Sequence, residues 1–289
     1  MDTLLELFAG GTLREGGSWG GQECLAFVPL QVRNMESAAW VCCLLAALVS
    51  LGFRGDVSDL LQRSSLLPFR PTRLDRLLAV VPMGIWLYVL QSKLRIHSLV
   101  NLLQPCHLSL LLHALALTKE GPLSTLISIY SLPLVVGAWG ALLVPDVTGL
   151  TPLEARLFFV QHYFLVLSPL YLLVHKNCTA LRLSRLPHFV NANLLIALLH
   201  WVVYEAVNVS LGVNVNFFLC PTPGILHLLN ELPQQAIWPS YRTVLSVLLF
   251  ILALAFSTVY VLVASLISRR CGGFKGRTEL QVVKSKHSD

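Results

Sequence analysis

Residues 102–113 read LLQPCHLSLLLH and sit at the centre of the apolar stretch 97–117. A run of about 20 such residues is long enough to cross a bilayer as a helix. Its middle nonetheless holds a glutamine, a proline, a cysteine and two histidines, and hydrocarbon solvates none of their polar groups. Counting this stretch as a crossing gives seven spans and puts the two ends of the chain on opposite sides.

The other apolar stretches fall at 37–53, 77–94, 121–144, 155–174, 189–210 and 243–268. The first is short, and PTRLDRLLAVV (71–81) blurs the start of the second. Of the 289 residues, 55% are hydrophobic and 12% charged, with a mean hydropathy of +0.69. Soluble domains carry about a quarter charged residues. The expected fold is therefore an all-α, polytopic membrane helix bundle of about seven transmembrane helices. It divides into an N-terminal segment (1–36), the bundle (37–268) and a basic tail (269–289), with no room for a separate soluble domain. The net charge of +6 is scattered over loops, which excludes a nucleic-acid footprint. MDTLLELFAGG, at the N-terminus, lacks the basic region and long apolar run of a cleavable signal peptide.

Lysine and arginine counts set the expected orientation. Fifteen of the 21 fall on one side, chiefly in the 54–76 loop, the 175–188 loop and the C-terminal tail. That side is expected to be cytosolic, leaving the N-terminus luminal or exterior. Cys24 and Cys220 then both face an oxidising compartment, where they either form a disulfide or remain two buried thiols. Cys42 and Cys43 are expected to pack as small apolar residues. Cys271, just after ISRR, is either a palmitoylation site or a plain juxtamembrane cysteine. The sequons NCT (177) and NVS (208) fall on the cytosolic side and at a helix end, so neither is expected to carry a glycan.

Polar residues inside spans are costly and face an interior or a cavity. They concentrate in three stretches: Asn101, Gln104, Cys106, His107 and His113; Gln161 and His162; and Asn191, Asn193, His200 and Glu205. At 1.5 Å per residue, Cys106, His162 and His200 lie at depths of roughly 14, 10 and 15 Å from one membrane face. They can therefore share a level.

Pro105 cannot donate a backbone hydrogen bond to the Asn101 carbonyl, so the helix should kink or break there. After a break, Pro105 takes the favoured first position of a new helix, with Cys106 in its first turn. Free N–H groups and the positive dipole end stabilise an anion at such a place. With a histidine base, Cys106 could act as a nucleophile in acyl transfer. Three other readings remain open. Cys106 and the histidines can be packing residues, or His162, His200 and Glu205 can line a polar or proton pathway. Glu205 can pair with a histidine or occupy wet space. Metal binding is disfavoured, because His107 and His113 do not share a helix face and no HExxH pair exists.

These residues resemble the transmembrane protein 164 family. LLQPCHL (102–108) is similar to its Leu-Leu-Asn-Pro-Cys-His-Leu, and PLEARLFFVQH (152–162) to its Pro-x-Glu…Gln-His segment. His200 stands at the family's spacing from LCP (219–221), and GGQEC (20–24) resembles a luminal Gly-Gly-x-x-Cys. The resemblance implies an intramembrane, coenzyme A-independent acyltransferase with Cys106 as nucleophile and His162 as base. It also implies phospholipid and lysophospholipid substrates: a polyunsaturated acyl chain moves from phosphatidylcholine to a lyso ether-phosphatidylethanolamine, lipids associated with ferroptosis. The implied fold is similar to the androgen-induced and androgen-dependent membrane hydrolases. Gln104, His107, His200 and Gln161 are supporting candidates, and Gln104 departs from the family's Asn. The expected setting is the endoplasmic reticulum or Golgi, with no cofactor and no metal. The alternatives are a Cys/His lipid-ester hydrolase and a non-enzymatic lipid or proton transporter.

Overall fold

In lipid, every backbone N–H and C=O must be satisfied within the chain, which leaves helices as the economical solution for apolar runs. The computed structural model describes residues 2–15, 20–65, 71–147, 150–176, 186–222 and 241–270. Among these residues the only β-type pairing is one isolated bridge, Gly20 to Val213. Short helical turns cover Asp2–Glu15. The main helices are α1 (Gly21–Ala26), α2 (Leu30–Ser50), α3 (Phe53–Ser65), α4 (Arg73–Arg95), α5 (Pro105–Thr118), α6 (Pro122–Tyr130), α7 (Val135–Leu143), α8 (Pro152–Tyr171), α9 (Leu186–Leu199), α10 (Glu205–Leu211) and α11 (Tyr241–Arg270).

Six segments are long and apolar enough to cross a membrane: α2, α4, α6 with α7, α8, α9 with α10, and α11. Leu77, Leu87, Leu167, Ile251 and Leu262 are each more than half exposed, and water would not tolerate that outer surface. The 97–117 stretch is different. A 3₁₀ turn over Leu99–Leu103 precedes α5, which alone has 14 residues.

A disulfide settles whether this interrupted segment crosses. Cys24 and Cys220 are bonded, so residues before α2 and after α10 share one face. Five of the long segments lie between them. An odd number of crossings would put the two cysteines on opposite faces, so the sixth crossing must be Leu99–Thr118. With α11 the total is seven, and α11 ends on the face opposite the disulfide. Cys271 and the NCT sequon lie outside the described residues.

Capping boxes start α4 and α8: Thr72 and Asp75 satisfy each other's orphan groups, as do Thr151 and Glu154. Ser92 at the end of α4 donates to Glu154 (2.8 Å) and ties the two helices together. At the other face, α3 turns back after Gly52, whose φ of +66° suits glycine. Asp56 of α3 meets His188 at 2.6 Å and accepts from Asn191 at 3.0 Å, which fastens α3 to α9.

Three sequence expectations need correction. Helix α2 begins at Leu30, seven residues earlier than the hydrophobic stretch suggests, and so carries Arg33 and Glu36 into the bundle. Their charges are balanced. Arg242 is fully buried and donates to Glu205 (2.8 Å), while Arg33 approaches the same carboxylate at 3.7 Å and Glu36 lies 3.9 Å from Arg242. Glu205 thus pairs with arginines, not with a histidine or wet space. The Arg242 guanidinium also sits 4.6 Å over the Trp201 ring, which stacks on Trp40. Cys42 and Cys43, expected to pack internally, are exposed. Helix α2 buries only Arg33, Leu44 and Leu48, so its contact seam is narrow and both thiols face outward.

Arg242→Ala would strand the Glu205 and Glu36 carboxylates in the bundle. It should destabilise the solubilised protein by about 3–5 kcal/mol, read as a lowered thermal midpoint. A double Arg242→Met, Glu205→Leu variant should lose less than the single one. Electrophoresis with and without reductant should give a mobility difference for the wild type that Cys24→Ser abolishes.

Candidate functional site

Pro105 leaves carbonyls at the break without helical partners, and the surrounding residues satisfy them. The Asn101 carbonyl accepts from the Gln104 N–H (3.2 Å) and from Nδ1–H of His107 (2.7 Å). The Gln104 carbonyl accepts from the N–H groups of His107 (3.0 Å) and Leu108 (3.1 Å). The Leu103 carbonyl accepts from the Tyr204 hydroxyl at 2.6 Å. Gln104 is extended (φ −52°, ψ 138°), as the residue before a proline prefers. The chain therefore breaks where the sequence says it should. Pro105 is the first residue of α5 and Cys106 the second.

Cys106 packs into a cluster with Ile85 of α4 and Leu165 and Val166 of α8. Its thiol makes a long contact, 3.9 Å, to Oε1 of Gln104. Gln161 of α8 is buried, and its side chain comes within interaction range of the sulfur. Its Nε2 makes no hydrogen bond of ordinary geometry, so this donor is unspent while the thiol is neutral. His162 is also buried, and its Nδ1–H donates to the Phe158 carbonyl at 2.7 Å. That tautomer leaves Nε2 as the basic nitrogen. His162 acts electrostatically on His107, Lys93 acts on Cys106, and Cys106 acts on Tyr204. His107 spends Nδ1–H on the break itself, which makes it a structural support there.

His200 lies apart from this group in its polar contacts. Residues His200–Tyr204 form a π-turn between α9 and α10. The ring stacks on Tyr204 and on Phe218, each with centroids 5.1 Å away, and Nδ1 accepts from Asn216 (2.9 Å). Asn216 in turn accepts from Asn208 (2.7 Å), a residue with no exposed surface. The sequon at 208 thus has no room for a glycan. His113 donates from Nδ1 to Ser109 (2.7 Å), its own helix.

The disulfide face of the site is capped. Phe8 and Ala9 pack against Val100, Leu103, Leu108 and Tyr204. Gly11 donates to the His97 carbonyl at 2.8 Å, and a Cβ there would come within 1.8 Å of the Ile96 oxygen. Only glycine permits that approach. The N-terminal residues therefore pack over the helix break on the disulfide face.

Sequence reasoning missed Tyr204 and Lys93. A tyrosine inside an apolar span needs a partner for its hydroxyl, and that rule is the signal that would have flagged it. Tyr204→Phe should uncouple the two segments, cost about 1–3 kcal/mol of stability and lower the thermal midpoint.

Comparison with known proteins places these residues in a family context. The family model described as the TMEM164 family matches residues 30–258. The chain is 30% identical to a Transmembrane protein 164 homolog of Dictyostelium discoideum over 202 residues, covering 68% of this chain and 69% of that protein. No solved structure matches.

Proposed function

The chain belongs to the TMEM164 family, and from that premise we propose that it is an intramembrane acyltransferase working through an acyl-cysteine. The observation that carries the reading is the helix break. It presents Cys106 in the first turn of α5, inside the bundle, packed on Leu165 and Val166 of α8 with the Gln161 side chain in range, and the buried imidazole of His162 is the next residue along α8. A helix start and a nearby imidazole are the two common means of activating a thiol.

In the proposed cycle a phospholipid enters laterally with its ester carbonyl at the depth of Cys106. Sγ attacks the carbonyl carbon while Nε2 of His162 takes the thiol proton. The ester C–O bond breaks, the leaving glyceryl oxygen takes that proton, and a thioester remains on Cys106. A lysophospholipid hydroxyl then attacks the thioester, giving its proton to His162. The C–S bond breaks and the thiol is restored. One ester is lost and one formed, so no coenzyme A or metal is required. The apolar surroundings limit water and favour transfer over hydrolysis. Family resemblance supports phosphatidylcholine as donor and a lyso ether-phosphatidylethanolamine as acceptor, with a polyunsaturated chain transferred.

The proposed orientation puts the disulfide face in the lumen of the endoplasmic reticulum or Golgi. Two independent features support it: an oxidised cysteine pair requires an oxidising compartment, and the basic excess lies on the opposite face.

The test is purified protein in nanodiscs with phosphatidylcholine, followed by intact-mass and peptide mass spectrometry. An acyl adduct on Cys106 is expected, absent in Cys106→Ala. Transfer to lysophospholipid should fall at least a thousandfold in Cys106→Ala, and about 10²–10⁴-fold in His162→Gln if His162 is the base. Free fatty acid as the sole product would mark a hydrolase. Full activity in Cys106→Ala would overturn the nucleophile assignment.

A further inference from the structure

We infer that the Gln161 side-chain amide and the Cys106 backbone N–H together form the oxyanion hole of this site. The inference rests on the acyl-transfer reading above and adds a catalytic residue to it.

Buried amide donors without partners are rare, because desolvating one without a hydrogen bond costs about 1–3 kcal/mol. Gln161 is 3% exposed and its Nε2 has no partner. The Asn101 amide at the break is likewise buried and unpartnered, whereas the nearby imidazoles are committed: His162 spends Nδ1–H on Phe158, and His107 spends Nδ1–H on the Asn101 carbonyl. What distinguishes Gln161 is its place: it stands on the stripe of α8 carrying Leu157, Phe164 and Leu165, which packs with Cys106, and its side chain reaches the sulfur, the atom a carbonyl carbon must approach. The second donor comes from the opposite helix. At the start of α5 the first-turn N–H groups have no intrahelical acceptor. The His107 and Leu108 N–H groups are taken by the Gln104 carbonyl. That leaves the Cys106 N–H, which lies against its own side chain.

When Sγ bonds to the carbonyl carbon, the C=O π electrons move onto oxygen. Two donors from two helices then converge on that oxygen, and the α5 dipole adds its positive end. Gln104 fits this role less well. Its Oε1, an acceptor, is the atom turned to the thiol, and an acceptor would repel an oxyanion.

The inference separates Gln161 from a residue that only shapes the pocket. Gln161→Met keeps the size and removes the donor. Its kcat for acyl transfer should fall about 10²–10³-fold with KM little changed, as for loss of one oxyanion donor. Alkylation of Cys106 by iodoacetamide displaces iodide at a saturated carbon and develops no oxyanion. Its rate in Gln161→Met should stay within a fewfold of wild type. Equal losses in acyl transfer and alkylation would overturn the inference, since Gln161 would then act on the thiol itself. So would wild-type transfer in Gln161→Met. If Gln161→Met is unfolded by thermal midpoint, Gln161→Asn, which retains a withdrawn donor, carries the same pair of measurements with the same two overturning outcomes. Transfer abolished in Cys106→Ala but intact in the Gln161 variants sinks this inference alone. Transfer intact in Cys106→Ala sinks the acyl-cysteine reading beneath it.

Discussion

The constraint on which the rest depends is a single missing N–H. Pro105 cannot donate into the preceding turn, and the hydrocarbon of a bilayer offers no hydrogen bond to compensate. The break is tolerable only because His107, Gln104, Leu108 and Tyr204 take up the freed carbonyls. Each of those donors is thereby fixed in place. The same event creates a helix start in the membrane interior, with Cys106 in its first turn. A continuous helix would have hidden those N–H groups in its own ladder.

The support is spread over the bundle. Tyr204 comes from the sixth crossing, through a π-turn that widens the helix at His200–Tyr204. Gln161 and His162 come from the fifth, whose start is set by the Thr151–Glu154 box and tied to α4 through Ser92. The N-terminal residues pack over the break on the disulfide face. The Arg33, Glu36, Glu205 and Arg242 cluster draws the ends of three crossings together on the same face. Buried ion pairs add little net stability, but breaking one is costly, so they fix which helices meet there.

What was legible in the sequence is what depends on local chemistry. The break at Pro105 follows from one residue type. Counting crossings puts Cys24 and Cys220 on one face, and the structure joins them. What was not legible depends on partners far apart in the chain. Arg33 and Glu36 look like residues before the first span, until Arg242 and Glu205 are seen to neutralise them. Tyr204 looks like one more aromatic in an apolar run until a π-turn aims it at Leu103. Periodicity also marks His162 and His200 as equals. The family resemblance separates them, and in the structure His162 is tied to Phe158 while His200 is tied to Asn216.

The Cys24–Cys220 bond joins positions 196 residues apart, with six crossings between them. It cannot close until the sixth crossing has been threaded and residue 220 has emerged beside residue 24. The clasp over the site is therefore among the last events of biogenesis. A chain that misplaces any one crossing puts the two thiols on opposite faces and can never oxidise the pair. The bond is in this sense a parity check on insertion, written covalently into the finished molecule.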